Sequence, residues 1–390
     1  MNKKVIFFYL LYVGLVFSYF IFAYPLVSFD DSNYAAIAHA IYFSKLPIPF
    51  LLLFLCIKNN WIKAWKIKFH LHNFWSETII VSYLLLFCYE LSQILFDIVW
   101  FIVTHRAGTS HESLLSWFQD QTLDFAFLGF ILTILLLVFR LVIKRWTNKW
   151  YFVLWLFILP IAIIVVYVQP VLIDPLYQDF SPLQEGALRT AIEQLTEDAG
   201  LIDPTILAVD MSEKVSTFNA YVTGIFGNAR IVLWDTTLNE LNQNEILFIL
   251  AHEIGHYTMH HVYIGLTGYI LFTLLLLFFI ARCYHWIMKK KYPYYKLSDI
   301  QAIPILLFIV LIFVTIGEPM SLFVSRQMEK QADQYAIEHT EDLEPALDGY
   351  KRIAVQSKSD IEPLDFVKWM RYSHPPMLDR IERIKRAMNE

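Results

Sequence analysis

AHEIGHY, residues 251–257, carries two histidines four positions apart. Side chains four residues apart leave the same face of a helix, so His252 and His256 can share one small cation. Glu253 stands between them and can reach a water molecule on that cation without being a ligand itself. The pattern therefore indicates a metal site, provided that the segment is helical.

The residues that precede this stretch predict the helix. Asn242 and Glu245 have the spacing of a capping pair. Ile246, Ile249 and Leu250 then form an apolar stripe that leads into the first histidine. Because a short His-Glu-x-x-His pattern also arises by chance, the rest of the chain has to supply a third ligand.

The composition indicates a membrane protein. The chain has 390 residues, of which 57% are hydrophobic and 17% are charged, whereas an ordinary soluble domain has about 25% charged residues. The formal net charge of −5 is modest and indicates no nucleic-acid partner. Cys56, Cys88 and Cys283 stand far apart, so neither a disulfide framework nor a thiolate zinc site is expected.

Seven apolar stretches are long enough, or nearly so, to cross a bilayer. They cover residues 5–22, 34–57, 79–103, 125–143, 151–168, 262–281 and 300–324. The first lacks a convincing cleavage site and is expected to remain as an anchor. Glu90, Asp97 and Glu318 fall within these spans and are expected to face a water-filled interior, since charge against lipid is costly. The alternative is that these three carboxylates are paired within the protein for structural reasons, which would give the same sequence pattern.

The connections between the spans alternate in charge. The basic residues of one set are Lys3, Lys4, Lys58, Lys63, Lys66, Lys68, Lys144, Arg145, Lys149, Lys289, Lys290, Lys291 and Lys296. The opposite set carries Asp30, Asp31, Glu112 and Asp120, with Arg106 as its only strong base. The positive-inside rule assigns the basic set to the cytoplasm. Residues 169–261 and the tail from 325 are then both extracytoplasmic, and the short basic loops are typical of a bacterial inner-membrane protein.

Four segments follow from this pattern. Residues 1–168 hold spans one to five, residues 262–324 hold spans six and seven, and a small α/β unit is split between residues 169–261 and 325–390. Within it, a helix is predicted over 184–199, strands over 205–209 and 230–234 and helices near 346–355 and 378–388. The predicted fold is mostly α, a polytopic seven-helix transmembrane bundle with this catalytic unit on one face.

The tail supplies a candidate for the third ligand, because a zinc hydrolase needs three protein ligands and an open position. Glu329 and Asp333 are four apart, so both carboxylates project from one helical face. Glu329 fits the third ligand, and Asp333 fits an acceptor for the N–H of a ligand histidine. The alternative is a solvated helix face on which both carboxylates pair with Arg326 or Lys330.

Together, these motifs resemble the integral-membrane gluzincins of the CAAX prenyl protease type. Residues 218–224 and 230–236 are similar to the substrate-edge segment of that family. Residues 373–376, followed by Arg380, resemble its C-terminal motif, and seven spans in the same order extend the similarity over nearly the whole chain. The resemblance implies a small α/β zincin-like catalytic domain that cleaves peptide bonds inside a large intramembrane chamber, and the short basic loops indicate a bacterial member.

The resemblance also implies roles for single residues. His252, His256 and Glu329 would bind one Zn²⁺ ion. Glu253 would take a proton from a zinc-activated water and pass it to the leaving amine, and His374 would donate to the oxyanion.

For substrate binding, the resemblance implies that Asn219 and Ala220 hold an extended backbone like an added strand. If the resemblance is set aside, the sequence indicates only that Asn219 is an ordinary turn residue and that His374 precedes a proline turn. His260 and His261 continue the predicted helix but leave its ligand face, which predicts a place at the membrane interface.

The sequence therefore predicts a zinc-dependent membrane endopeptidase that acts on a peptide or protein substrate, with membrane-associated proteins among the candidates. Eukaryotic relatives remove the last three residues of prenylated proteins from the cytosolic side. An extracytoplasmic site cannot reach such substrates, so the natural substrate stays open. The alternatives are a catalytically silent scaffold that binds hydrophobic or lipidated peptides, a protease for membrane-protein quality control and a transporter with an accidental two-histidine pattern.

Overall fold

Helices account for most of the computed structural model, which describes residues 3–168, 174–176, 178–201, 203–224 and 229–390. The N-terminal helices are α1 (Lys3–Phe22), α2 (Tyr34–Lys45), α3 (Ile48–Lys58), α4 (Trp61–Lys68), α5 (Phe74–Ala107), α6 (Leu114–Arg145) and α7 (Trp150–Val168). The later helices are α8 (Ala187–Asp198), α9 (Asp235–Glu240), α10 (Gln243–Thr258), α11 (His261–Lys291), α12 (Ile303–Glu338), α13 (Glu344–Gln356), α14 (Asp365–Arg371) and α15 (Met377–Ala387).

Six helical stretches of the described chain are long and apolar enough to cross a membrane. They are α1, the α2–α3 pair, α5, α6, α11 and the stretch that ends with α12. Pro47 and Pro49 separate α2 from α3, because a proline lacks the N–H that would continue the helix. The predicted span 151–168 falls in α7, a 19-residue helix that is apolar throughout and is not one of these six stretches. A count of seven spans therefore stays a prediction, and the predicted catalytic segment opens on residues 169–173, outside the described residues.

The lysine-rich connections meet at one end of the bundle. Arg140 of α6 donates to the backbone oxygens of Phe74 and Ser298, both at 3.0 Å. His285 of α11 lies 3.0 Å from the backbone oxygen of Thr147. Tyr284, which is fully buried, donates to the oxygen of Leu297 at 2.8 Å. These contacts join the three connections that follow α3, α6 and α11.

A four-stranded sheet lies in the C-terminal half of the chain. It consists of β1 (Phe180–Pro182), β2 (Thr205–Val209), β3 (Ala220–Thr223) and β4 (Arg230–Trp234), in the order β1-β2-β4-β3. β2 runs parallel to β4, whereas β3 is antiparallel to β4 and forms one edge. Ile231 and Leu233 of β4 pack with Ile246 and Leu250 of α10, so the sheet supports that helix directly.

Helix α10 also packs tightly against α12. A Cβ atom on Gly255 would lie 3.1 Å from the side chain of Tyr335, a tighter contact than most Cβ atoms make, so the glycine favours the close approach of the two helices. Phe248 and Ala251 of α10 meet Tyr350 of α13 in a further buried cluster that also includes residues of α15. The tail therefore packs around α10 and brings α12, α13 and α15 to the same side of it.

Polar side chains of the spans face the interior of the bundle. Asp97 and Glu318 line a cavity of about 540 Å³ between α2, α3, α5 and α12. Lys45 lines the same cavity and forms an ion pair with Asp97 at 2.7 Å. Glu90 lies half-buried on α5. The two carboxylates thus avoid lipid, as the cost of a charge in the bilayer requires.

Candidate metal centre

The start of α10 is held by its own first turn. Asn242 Oδ1 accepts the N–H of Glu245 at 3.0 Å, and Glu245 Oε2 accepts the N–H of Asn242 at 2.8 Å. This capping box satisfies two N–H groups that a helix start otherwise leaves free. Leu250 and Ile254 are fully buried on the face toward the protein core, which directs the two histidines of the helix toward α12.

Three side chains from α10 and α12 converge at one point. The Nε2 atoms of His252 and His256 lie 3.2 Å apart. Glu329 places Oε2 3.2 Å from Nε2 of His252 and Oε1 3.3 Å from Nε2 of His256. Ligands of a tetrahedral zinc ion at about 2.0–2.1 Å are separated by roughly 3.3 Å. The spacing of the two nitrogens is close to that separation, one carboxylate oxygen lies beside each histidine, and one donor atom from each residue lies within 4.8 Å of the others. This is the group in the described chain that is able to hold a metal.

The environment of Glu329 supports the same fit. Its Oε2 atom is buried and accepts no hydrogen bond of proper geometry from the described residues. A buried carboxylate oxygen in this position is costly unless a cation or a donor satisfies it. The donor set, two imidazoles and one carboxylate, is also the one found in catalytic zinc sites.

A buried network holds His252 from behind. Its Nδ1 atom lies 2.9 Å from Oδ1 of Asp333. Arg380 donates to Asp333 from Nε at 3.1 Å and from Nη2 at 2.6 Å, and Tyr350 donates to the same carboxylate at 3.0 Å. Burial disfavours a charged imidazole, but the nearby carboxylates of Asp333 and Glu329 outweigh it and raise the pKa of His252 to about 9.

The solvated-face alternative for Glu329 and Asp333 is wrong. Glu329 is 7% exposed and Asp333 is 2% exposed. Arg326 donates instead to the backbone oxygens of Lys368 and Tyr372. The helix face that carries both carboxylates is thus directed into the protein.

Glu253 stands beside the three converging groups. Its Oε1 atom lies 4.0 Å from Nε2 of His252. Burial raises the pKa of its carboxyl above the usual value, although His252 and His256 oppose this effect. Glu253 also lines the groove described below, so its carboxylate faces both the metal centre and the space open to a ligand.

His374 approaches the centre from the tail. Its Nε2 atom lies 3.3 Å from Oε2 of Glu329, and its Nδ1 atom lies 2.9 Å from Oγ of Ser373. The His374 side chain is 56% exposed, far more than those of the three converging residues. It therefore remains accessible to a ligand in the groove.

A groove of about 430 Å³ runs past Glu253 and His374. Asn219 and Ala220, at the start of the edge strand β3, line it together with His252. Its apolar lining comprises Phe218, Ile249, Ile353, Pro375 and Met377. The backbone of Asn219 is held by Thr237, whose Oγ1 accepts the N–H at 2.9 Å and donates to the carbonyl at 2.8 Å.

Two features of the centre escaped the sequence analysis. The first is that Tyr350 and Arg380 donate hydrogen bonds to Asp333. The sequence indicated this only through the position of Arg380 in the C-terminal motif. The second is the contact of His261 with His256; the predicted place of His261 at the membrane interface stays a prediction. His261 is 5% exposed, and its ring contacts both His256 and Gln331. The helix ends at Met259, and His260 adopts a left-handed conformation with φ 58°, which redirects His261 toward His256.

Comparisons with known proteins agree with this geometry. Peptidase family M48 matches residues 182–388, and the CAAX prenyl protease N-terminal domain, described as five membrane helices, matches residues 30–179. The uncharacterized metalloprotease YhfN of Bacillus subtilis is 36% identical over 367 residues, which cover 92% of this chain and 85% of that relative. A CAAX prenyl protease 1 homolog of Arabidopsis thaliana is 30% identical over 219 residues, 54% of this chain and 50% of that relative.

A solved structure shares the fold. The crystal structure of S. mikatae Ste24p superimposes with a TM-score of 0.78 at 22% sequence identity and covers 98% of this chain and 99% of its own. The N-terminal match, the six apolar helices and this fold make the chain a multi-pass integral membrane protein. The family match, the two-histidine helix and the relatives lead to one conclusion: the chain belongs to peptidase family M48 and is a membrane-embedded metalloendopeptidase of the CAAX prenyl protease type.

Proposed function

We propose that this chain is a zinc-dependent endopeptidase in which His252, His256 and Glu329 hold one zinc ion. The observation that carries the proposal is the convergence of the two histidine Nε2 atoms, 3.2 Å apart, on the Glu329 carboxylate, whose Oε2 lies 3.2 Å from His252 and whose Oε1 lies 3.3 Å from His256. The Oε2 atom is buried and lacks a hydrogen bond. A zinc ion supplies Lewis acidity there, which makes water acidic enough to deprotonate near neutral pH and polarises a carbonyl group.

Two further side chains carry the proton transfers and the charge. Glu253 accepts the proton of the attacking water and returns it to the nitrogen of the departing amine, so its carboxylate is regenerated. The Glu253 carboxylate suits this exchange because it lies beside His252 and lines the groove that a ligand enters. His374 donates to the oxyanion of the tetrahedral intermediate; it is accessible from the groove and next to Glu329.

The substrate binds as an extended chain along β3. This strand is an edge of the sheet, and edge strands present unpaired backbone groups that a peptide can meet by strand addition. Asn219 and Ala220 contact the substrate backbone at the start of that edge. The apolar lining of the groove favours hydrophobic side chains next to the cleaved bond.

We further propose that the groove and the cavity within the bundle form one chamber. Arg371 lines both, so the two spaces share a wall. Residues 1–168 and 262–324 then form the membrane part, and residues 169–261 and 325–390 form the split catalytic part. The gathering of the lysine-rich connections at one end of the bundle supports a bacterial inner-membrane protein with its catalytic face outside the cytoplasm.

Cleavage by the purified protein tests the chemistry. We expect the full chain in detergent to cut a library of hydrophobic peptides, to lose this activity with a chelator and to contain one zinc per chain by elemental analysis. Glu253→Gln should abolish turnover and retain zinc, whereas Glu329→Gln should lose both. Peptide binding without cleavage by the unmodified protein would instead establish the silent-scaffold alternative.

The substrate and the orientation need separate measurements. Matched peptides with and without a prenyl group identify whether lipidation matters, and unfolded membrane proteins as substrates test a quality-control role. Orientation is measured in a variant in which Cys56, Cys88 and Cys283 are replaced and Glu341→Cys adds a single cysteine. Residue 341 is an exposed position between α12 and α13. Labelling of intact cells by a membrane-impermeant maleimide supports an extracytoplasmic site, and labelling only after lysis contradicts it.

A further inference from the structure

We infer that His261 and Gln331 position His256 for metal binding, by determining which nitrogen of its ring carries the proton. The inference rests on the proposed metal centre and extends it by two residues that are not ligands. It concerns the side of His256 that faces away from His252 and Glu329.

The three side chains form a continuous chain of contacts. Nδ1 of His256 lies 2.9 Å from Nδ1 of His261, and Nε2 of His261 lies 2.9 Å from Oε1 of Gln331. The two rings are steeply inclined, with an interplanar angle of 71° and centroids 4.9 Å apart. This is the arrangement of an in-plane hydrogen bond between ring nitrogens rather than of stacked rings.

The chemistry of the groups gives the chain one direction. With the amide oxygen of Gln331 toward the ring, as the structure has it, Nε2 of His261 carries the proton, because that oxygen only accepts. A neutral imidazole has a single N–H, so Nδ1 of His261 is an acceptor. Nδ1 of His256 must then donate, which leaves the lone pair of its Nε2 directed at His252 and Glu329. A metal ligand needs this tautomer.

The arrangement mirrors the support of the other histidine. Asp333 binds Nδ1 of His252 from α12, and the His261–Gln331 pair binds Nδ1 of His256 from α11 and α12. Gln331 follows Glu329 by two positions on α12, so one helix supplies both a ligand and the far end of this chain. Each ligand histidine is thereby oriented from behind, which preserves the spacing of the three donor atoms.

Zinc affinity of the full-length protein, measured by competition with a chelating indicator, tests the inference. His261→Phe keeps a ring without an acceptor, and Gln331→Leu removes the acceptor at the far end. We expect both to weaken zinc binding by about 10–100-fold. In His261→Asn the amide oxygen replaces the acceptor, and Gln331→Glu keeps one, so both should stay within a few-fold of the unmodified protein. His260→Asn, at an exposed neighbour, is the matched control and should bind zinc normally.

The outcomes separate this inference from the metal centre itself. The inference is wrong if His261→Phe and Gln331→Leu bind zinc with unchanged affinity. It is also wrong if these variants are less stable to heat in the absence of zinc while their folded fraction binds zinc with normal affinity. If His261→Phe does not fold, Gln331→Leu decides, since it leaves both histidines in place. If the unmodified protein binds no zinc, or if Glu329→Gln binds it equally well, the proposed centre fails and the inference with it.

Discussion

Nδ1 of His252 lies 2.9 Å from Oδ1 of Asp333, so the nitrogen opposite, Nε2, is directed at Glu329. This contact joins α10 to α12 and is itself surrounded: Arg380 donates to the Asp333 carboxylate, and Tyr350 donates to its Oδ1. The Asp333 side chain is only 3% exposed, and that of Arg380 is 10% exposed. The charge of each is therefore compensated within the protein rather than by water.

Loss of one member of this pair should be costly. Asp333→Ala leaves the Arg380 guanidinium buried without its partner, and we expect a loss of about 3–5 kcal/mol in the free energy of unfolding. The double variant Asp333→Ala/Arg380→Met should recover part of that loss because neither charge remains. Zinc affinity should stay about 10–100-fold lower in both, since His252 has lost its acceptor. Thermal unfolding in detergent and zinc competition measure the two quantities, and equal stability of the single and double variants would contradict the account.

The contact of α10 with α12 at Gly255 should tolerate no larger side chain. In Gly255→Leu the new side chain meets Tyr335, so we expect overpacking to cost about 1–3 kcal/mol and to disturb the spacing of His252 and Glu329. Gly268→Leu is the matched control, because a Cβ at that exposed position of α11 meets nothing within 4 Å. A normal unfolding temperature and normal zinc content in Gly255→Leu would disprove this packing argument.

His374 should affect turnover more than binding. Removal of one well-placed oxyanion donor costs about 10²–10³ in kcat, so we expect His374→Ala to lose activity on that scale with little change in KM. Because its side chain is largely exposed, zinc content and thermal stability should stay close to those of the unmodified protein. Ser373→Ala removes only the hydrogen bond to Nδ1 and should have a smaller effect. A rise in KM at constant kcat would assign His374 to substrate binding instead.

An ion pair between the first extramembrane loop and the tail should be sensitive to acid. The hydrogen bond from Lys358 lowers the pKa of Asp30 from 3.8 to about 2. A folded-state pKa below the unfolded value stabilises the protein above pH 3.8, and this stabilisation is lost as the pH falls through about 2. Because the pair is partly exposed, we expect Asp30→Asn to cost at most about 1 kcal/mol at pH 7. Unfolding temperatures from pH 7 to pH 2 measure the difference, which should close at the acid end, and Asp31→Asn, at an exposed neighbour, is the control.

Local patterns alone predicted much of the secondary structure. The capping pair and the apolar stripe predicted α10, and both partners of the capping box are in place. The predicted strands 205–209 and 230–234 match β2 and β4 residue by residue. Such features depend on neighbours within a few positions, which the sequence displays directly. The span count was harder to predict, since a hydrophobic run shows its length and not whether it crosses the bilayer.

The sequence by itself determined the chemical groups of the centre: two histidines one helical turn apart on α10 and two carboxylates one turn apart on α12. Only the tertiary structure decided that these faces meet, because contacts across 77 positions of chain depend on the packing of α10 against α12 at Gly255. It also decided how His256 is supported. The left-handed turn at His260 brings His261 back toward the preceding helix, a change of direction that helical periodicity does not encode.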